Sequence, residues 1–105
     1  MGFMARADLL KMNHFKMFNS ITVPSSAWSA STAFADYPYQ ADITLEGISQ
    51  SWGVNIVFNP VHADLLGGAF TQPQDANGKV RIYAKKNPAQ DIIIVAASCF
   101  DKGEV

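Results

Sequence analysis

The chain has 105 residues, a formal net charge of −1 and a single cysteine, Cys99. A chain of this length fits one domain, and one cysteine permits neither an intrachain disulfide nor a cysteine-based zinc site within one copy. Lys and Arg are too few and too dispersed for a nucleic-acid surface. Because only 16% of the residues are charged and 49% are hydrophobic, we expect a partner chain to cover some of the apolar surface.

No segment has the pattern of a membrane span or an export signal. The longest apolar run, Ile92 to Ala97, has six residues, whereas a membrane-spanning helix needs about 20. Met1 to Phe18 contains four charged residues and no uninterrupted apolar block, so it lacks the central region of a secretory signal. We therefore expect neither membrane insertion nor export by such a signal.

Residues 1–19 differ in character from the rest and are expected to form a helical or extended anchor. They hold all four methionines, and Ala5 to Lys16 favours a helix by propensity. The apolar positions lie on several sides of that helix, which usually requires several neighbours. A helix packed on its own domain, docking into a neighbouring subunit, and disorder all stay open. The candidate interface residues are Phe3, Leu9, Leu10, Met12, Phe15 and Phe18.

From Ile21 onward, apolar residues recur with a period of two between turn residues, which predicts short antiparallel strands. Pro24 indicates an edge position for the first of them, because proline cannot donate to the ladder. The clearest strand lies in residues 39–46. Its buried face is predicted to comprise Tyr39, Ala41, Ile43 and Leu45, and its exposed face Gln40, Asp42, Thr44 and Glu46.

A further strand is predicted at Val54 to Phe58, followed by a short helical turn. Asn59 suits the cap of that turn and Pro60 its first helical position. The turn would continue through Asp64 and be closed by Gly67-Gly68.

The Asn77-Gly78 dipeptide predicts a type I′ hairpin, since both central residues of that turn need positive φ. We expect it to pair Ala69 to Gln74 with Lys79 to Lys85. One face of the second strand would comprise Val80, Ile82 and Ala84, and the solvent-exposed face Lys79, Arg81, Tyr83 and Lys85.

The last predicted strand, Asp91 to Ala97, is continuously apolar after its first residue, which favours burial on both faces. Six or so short strands with regular turns predict an all-β fold. Its leading architecture is a small antiparallel β-sandwich over residues 20–105, with a jelly-roll-like topology as one option.

The sequence contains no constellation that marks an active site. His62 and Asp64 could share a metal ion only with further donors, and the other histidine, His14, lies in the N-terminal segment. No serine lies in a G-x-S-x-G elbow, no pair of carboxylates is marked out for acid and base roles, and the glycines are dispersed among turns. We therefore predict no catalytic, cofactor-binding or metal-binding residues and no enzyme activity.

Aromatic residues concentrate between Trp28 and Trp52. Such residues are favoured at interfaces because they bury large areas at low entropic cost. Three interpretations stay open: closure of the sandwich core by Trp28, Tyr39 and Trp52, a subunit interface, and a platform for a glycan or receptor. The candidate receptor surface comprises Trp28, Tyr37 and Trp52.

Several short segments together resemble a small β-sandwich module of bacteriophage and prophage fibre and appendage proteins. They are Ile21-Thr22-Val23-Pro24 with Trp28, Tyr37 to Ile43 with Gly47-Ile48, Val57-Phe58, Val80 to Lys85 with Pro88, and Asp91-Ile92. The resemblance covers residues 21–100. Residues 51–55 depart from the module's more regular turn and strand, and no long stalk precedes the domain, which favours a short fibre tip or a decoration subunit.

The resemblance implies a non-enzymatic virion structural protein, a fibre-tip, head-fibre, tail-fibre or capsid-decoration subunit. It further implies a homo-oligomer, with a trimer favoured, that contacts other virion proteins on the particle after assembly in the host cytoplasm. The alternative hypothesis is a carbohydrate- or receptor-binding module whose surface aromatics would contact a host surface glycan.

Overall fold

The computed structural model describes residues 15–102, which form two antiparallel sheets packed in a sandwich-like arrangement. The strands are β1 (Phe15–Val23), β2 (Ser29–Ala30), β3 (Tyr39–Thr44), β4 (Trp52–Phe58), β5 (Ala69–Pro73), β6 (Lys79–Ala84) and β7 (Ile92–Asp101). The first sheet has the order β1-β7-β4 and the second sheet the order β2-β3-β6-β5. A 3₁₀ turn (Ser25–Ala27) and one helix, α1 (Pro60–Leu66), complete the described elements. The predicted all-β sandwich is confirmed.

The core lies between the two sheets and follows the alternation of each strand. In β3, Ala41 and Ile43 are buried whereas Asp42 and Thr44 are exposed, as predicted. Fully buried side chains from both sheets and from the β3–β4 connection meet there: Val23, Leu45, Ile48, Val80, Ile82, Ile92 and Ile94. The period of two therefore sorts side chains between core and solvent in this strand.

Strand β1 begins earlier than the sequence pattern indicates. It pairs with β7 from Phe15 opposite Phe100 to Val23 opposite Ile92. Residues 15–19 are therefore extended, which was one of the two conformations predicted for the anchor, and Phe15 and Lys16 do not belong to the helix that propensity favours. Pairing with β7 satisfies their backbone groups, and tertiary contacts of this kind override helix propensity. Residues 1–14 of the predicted anchor lie outside the described residues, and with them the candidate interface residues Phe3, Leu9, Leu10 and Met12.

The β5–β6 hairpin is confirmed, but its turn is not type I′. Gln74 N–H donates to the Lys79 carbonyl at 2.8 Å, which leaves a four-residue loop over 75–78. Only Gly78 in that loop has a positive φ, 88°. The Asp75 carboxylate accepts from the backbone N–H of Asn77 at 2.8 Å and of Lys79 at 3.2 Å. These two hydrogen bonds lower the pKa of Asp75 below its usual value.

Helix α1 starts as predicted. Asn59 Oδ1 accepts from Val61 N–H at 3.0 Å, Pro60 occupies the first turn, and Gly67 ends the helix with φ 67°. The helix runs to Leu66 rather than Asp64. Its His62 Nδ1 accepts from the backbone N–H of Ile93 at 2.9 Å, which ties the helix to the start of β7.

Strand β7 is not buried on both faces, contrary to the prediction. It is the central strand of the first sheet and packs its inner side against the core, yet Val95 is 46% and Phe100 48% exposed. The inner face of β7 therefore packs in the core, and its outer face carries apolar side chains that remain exposed.

Candidate assembly surface

The surface of greatest interest is the side of the first sheet that faces away from the core. Directly opposed residues on neighbouring strands share a face, so the registers assign the residues of this outer face. They are Phe15, Met17, Asn19 and Thr22 of β1, Gly53, Asn55 and Val57 of β4, and Ile93, Ala96, Ser98 and Phe100 of β7. Val95 lies at the irregularity where the β4–β7 register shifts. None of these residues is charged.

Five of these residues expose large apolar side chains: Phe15 (47%), Met17 (56%), Val57 (52%), Val95 (46%) and Phe100 (48%). Together they expose on the order of 400 Å², a patch size that is often functional on a small protein. Phe15, Met17 and Phe100 lie together at one end of the face, because Phe15 is opposite Phe100 and successive outward rows along a strand are only about 7 Å apart. Val57 and Val95 lie further along the same face, beyond the row of Ser98 and Asn55. An exposed sheet face is normally polar, so this one calls for a physical explanation.

The outer face of the second sheet has the opposite character. Its outward residues include Gln40, Thr44, Gln72 and Lys79 and the cross-strand pair of Asp42 and Arg81. Arg81 Nε lies 2.7 Å from Asp42 Oδ1 and Arg81 Nη2 lies 3.2 Å from Asp42 Oδ2. This two-point contact raises the pKa of Arg81 above its usual value. The two outer faces of the sandwich thus differ sharply in polarity.

At one end of the second sheet, the chain covers its own outward aromatics. Phe70 and Tyr83 stack with ring centroids 5.1 Å apart. Phe34, from the connection between β2 and β3, packs edge-on against both rings, and Tyr37 packs edge-on against Phe70. Tyr83 is therefore only 3% exposed, which corrects the prediction that it shares a solvated face with Lys79, Arg81 and Lys85.

The candidate receptor residues do not form one surface. Trp28 is 8% and Trp52 6% exposed, and both belong to the core, which confirms that they help to close the sandwich. Tyr39 packs against the same core. Tyr37 is half-buried in the aromatic cluster of the second sheet, with Lys85 Nζ 5.5 Å from its ring centroid. Neither tryptophan offers an exposed ring for stacking on a sugar.

Trp52 also lines a cleft of about 530 Å³ between the edges of β4 and β5. Gln50, Gln72 and Lys102 contribute polar walls, and Thr71 Oγ1 donates to the Val54 carbonyl at 3.1 Å. This hydrogen bond joins the two strand edges beside the cleft.

The candidate interface residues described by the structure separate by strand alternation. Phe15 lies on the outer face of the first sheet, whereas Phe18 is paired with the buried Ala97 and packs against the core. Phe18 is therefore a core contact rather than an interface residue of this face. The sequence analysis did not identify Met17, Val57, Val95 and Phe100 as residues of this face. For Met17 a signal was present, because it lies two residues from Phe15 and would share its face in a strand.

The cysteine of the chain, Cys99, belongs to the core. Cys99 is fully buried, and burial raises the pKa of its thiol to about 11. Within residues 15–102, no three His, Cys, Asp or Glu side chains are grouped so that they could hold a metal ion. The same part of the chain contains no helix with the length and apolarity needed to cross a membrane.

The chain was compared with known families, proteins and structures. No model of a known protein family, no curated protein and no solved structure matches this chain.

Proposed function

We propose that this chain is a non-enzymatic structural subunit that associates with further copies of itself through the outer face of its first sheet. The observation that carries the proposal is that the described residues of this face are uncharged and expose Phe15, Met17, Val57, Val95 and Phe100. Apolar patches of this size are often functional.

The energetics support association. Removing about 400 Å² of apolar surface from water contributes on the order of 10 kcal/mol for each copy. Lost translational and rotational freedom costs roughly 4–15 kcal/mol, and ordering of side chains adds to that cost, so the gain from two such faces is of the same order as the cost of association. The uncharged character of the face lowers the cost further, because no ionised group of its described residues has to leave water.

The contrast between the two outer faces supports an oriented assembly. The Asp42–Arg81 pair and its polar neighbours keep the second sheet hydrated, while the first sheet meets the neighbouring subunit. In such an assembly every copy would present the polar outer face of its second sheet to the solvent.

For the biological setting we propose a virion, on the basis of the resemblance of residues 21–100 to phage appendage modules. The subunit would be a fibre-tip, head-fibre or decoration protein, trimeric and in contact with other virion proteins. Glycan binding through Trp28 or Trp52 is not part of the proposal, because both rings are buried.

The test compares Val57→Lys with a matched control, Thr44→Lys. Val57 is outward on the first sheet and Thr44 outward on the second, and both are exposed strand positions. We expect the full-length chain to be oligomeric by light scattering coupled to size exclusion. Val57→Lys should weaken association at least about tenfold, since it places a charge in an apolar interface, and Thr44→Lys should leave it unchanged.

Two outcomes would overturn the proposal. One is a full-length chain that stays monomeric up to about 100 μM, which corresponds to association weaker than about −5.5 kcal/mol. The other is a folded Val57→Lys variant that associates as tightly as the unmodified chain. Circular dichroism of each variant establishes that the sandwich is intact.

A further inference from the structure

We infer that residues 1–14 of one copy cover the outer face of a neighbouring copy, so that subunits exchange their N-terminal segments. This inference rests on the proposed self-association and identifies the occupant of the face. Its four supporting observations are the attachment point of the segment, its composition, the size of the face and the reach of the chain.

The segment is attached at the border of the face. β1 is an edge strand of the first sheet, and its first residue, Phe15, is itself outward and paired with Phe100. The chain before Phe15 therefore meets the described domain beside two of the five exposed apolar side chains.

The composition of residues 1–14 suits an apolar face. They contain the apolar residues Met1, Phe3, Met4, Leu9, Leu10 and Met12. Among its described residues the outer face has no charged side chain that would need a partner. The segment also carries the charged residues Arg6, Asp8 and Lys11, and charged residues are accommodated at the polar rim of an interface.

The size of the face indicates that something besides a second flat sheet contributes. The five exposed side chains supply on the order of 400 Å² of apolar surface, whereas each partner in a stable interface buries about 800 Å² of polar and apolar surface together. A segment of fourteen residues with six large apolar side chains would add to the buried area. Exchange gives every copy one donated and one received segment, which is the condition for a closed ring such as a trimer.

The reach and direction of the chain favour a neighbour over the same copy. Fourteen extended residues span up to about 46 Å, while three strands are only about 10 Å across. Since β1 runs into the sheet from Phe15, the preceding chain leaves at the end of that sheet. Covering its own face would require the chain to turn back on itself before Phe15, whereas a segment that continued the direction of β1 would lead away from that face.

The test places a photo-crosslinking amino acid in the full-length chain. The photoreactive residue replaces Leu10 in an unlabelled copy, which is mixed with a ¹⁵N-labelled copy that carries none. We expect mass spectrometry to find the unlabelled segment joined to labelled peptides that contain Val57 or Phe100. The same photoreactive residue at Thr44, outward on the second sheet, should give no such products.

The outcomes separate this inference from the proposed function. Crosslinks confined to one copy would show that the segment covers its own sheet and would overturn the exchange. An oligomer that Val57→Lys dissociates, but that yields no crosslink from position 10 to the outer face, would sustain self-association and overturn the inference. A monomeric full-length chain would overturn both.

A second measurement uses Leu10→Lys in the full-length chain. We expect at least about a tenfold increase in the dissociation constant of the oligomer, because the substituted side chain would place a charge on an apolar face. Unchanged association in this variant, together with weakened association in Val57→Lys, would contradict the exchange alone.

Discussion

The ring of Phe100 lies over Gly53 on the neighbouring strand, so closely that a Cβ at position 53 would be 2.9 Å from Phe100 Cζ. The two residues are directly opposed in the β4–β7 register. An aromatic ring laid over a strand glycine shields backbone that the glycine leaves bare. The absence of a side chain at Gly53 therefore sets the position of the Phe100 ring on the outer face of the first sheet.

We predict that Gly53→Ala changes association more than stability. The added methyl group must displace the Phe100 ring, whose exposed far end can move outward, while alanine favours the strand by about 0.5–1 kcal/mol over glycine. The free energy of unfolding of the monomer should therefore change by less than about 1 kcal/mol in urea titrations. The dissociation constant of the oligomer should rise, since the outer face is reshaped. If Gly53→Ala and the unmodified chain had the same dissociation constant, the position of the Phe100 ring would not influence association.

Gly78→Ala should be strongly destabilising. Gly78 has φ +88°, and a Cβ there would lie 2.6 Å from the backbone oxygen of Leu45. Gly78 N–H also donates to the Ile48 carbonyl and the Gly78 carbonyl accepts from Leu45 N–H, so the loop cannot easily withdraw. We expect a loss of roughly 3 kcal/mol or more in the free energy of unfolding.

Gly47→Ala is the matched control for Gly78→Ala. Gly47 has a similar φ of +87°, but the atoms nearest to its added Cβ belong to the flexible end of Lys16. This variant should lose only the backbone strain of about 1–2 kcal/mol. Equal losses in the two variants would show that the contact with Leu45 is not the cause.

His62→Ala should destabilise the junction of α1 and β7. The substitution leaves Ile93 N–H without the acceptor that His62 Nδ1 provides at 2.9 Å. We expect the free energy of unfolding to fall by about 1 kcal/mol. His62→Asn is the control, because its Oδ1 can occupy the position of Nδ1, and it should retain most of the stability. Equal losses in both variants would argue that the ring's packing matters rather than its acceptor.

Asp75 should make the hairpin loop sensitive to acid. Its pKa in the folded protein is lowered from 3.8 by hydrogen bonds from Asn77 and Lys79. A lowered pKa in the folded state means that the carboxylate contributes stability above the unfolded value, and that this contribution is lost as the pH falls through the folded value.

The measurement for Asp75 is the urea midpoint of unfolding, for the unmodified chain and for Asp75→Asn, from neutral pH down to below the unfolded pKa of 3.8. The substituted amide keeps an acceptor oxygen without a charge, so the difference between the two midpoints should shrink on acidification. A difference that stays constant with pH would rule out a titrating Asp75.

Cys99 should react slowly in the folded protein. It is fully buried, and its pKa is raised to about 11 by that burial, so little thiolate forms near neutral pH. We expect modification by a colorimetric disulfide reagent to be at least about 100-fold slower than in urea-unfolded protein. Comparable rates would show that the thiol is accessible.

The sequence by itself determined those elements that depend only on neighbouring residues. Period-two alternation located β3 and its buried face, Asn59-Pro60 located the start of α1, and the turn residues before Lys79 located the β5–β6 hairpin. Each signal depends on a few adjacent residues and their backbone preferences.

Tertiary structure alone decided what covers each face. The continuous apolar run of β7 is compatible with burial on one side or both, because alternation cannot reveal a missing layer. Tyr83 is covered by Phe34 and Phe70, whereas Phe100 stays exposed. Pairing with β7 likewise placed Phe15 on the outer face and Phe18 in the core. These outcomes depend on residues distant in sequence, and so the apolar outer face of the first sheet became visible only in the folded chain.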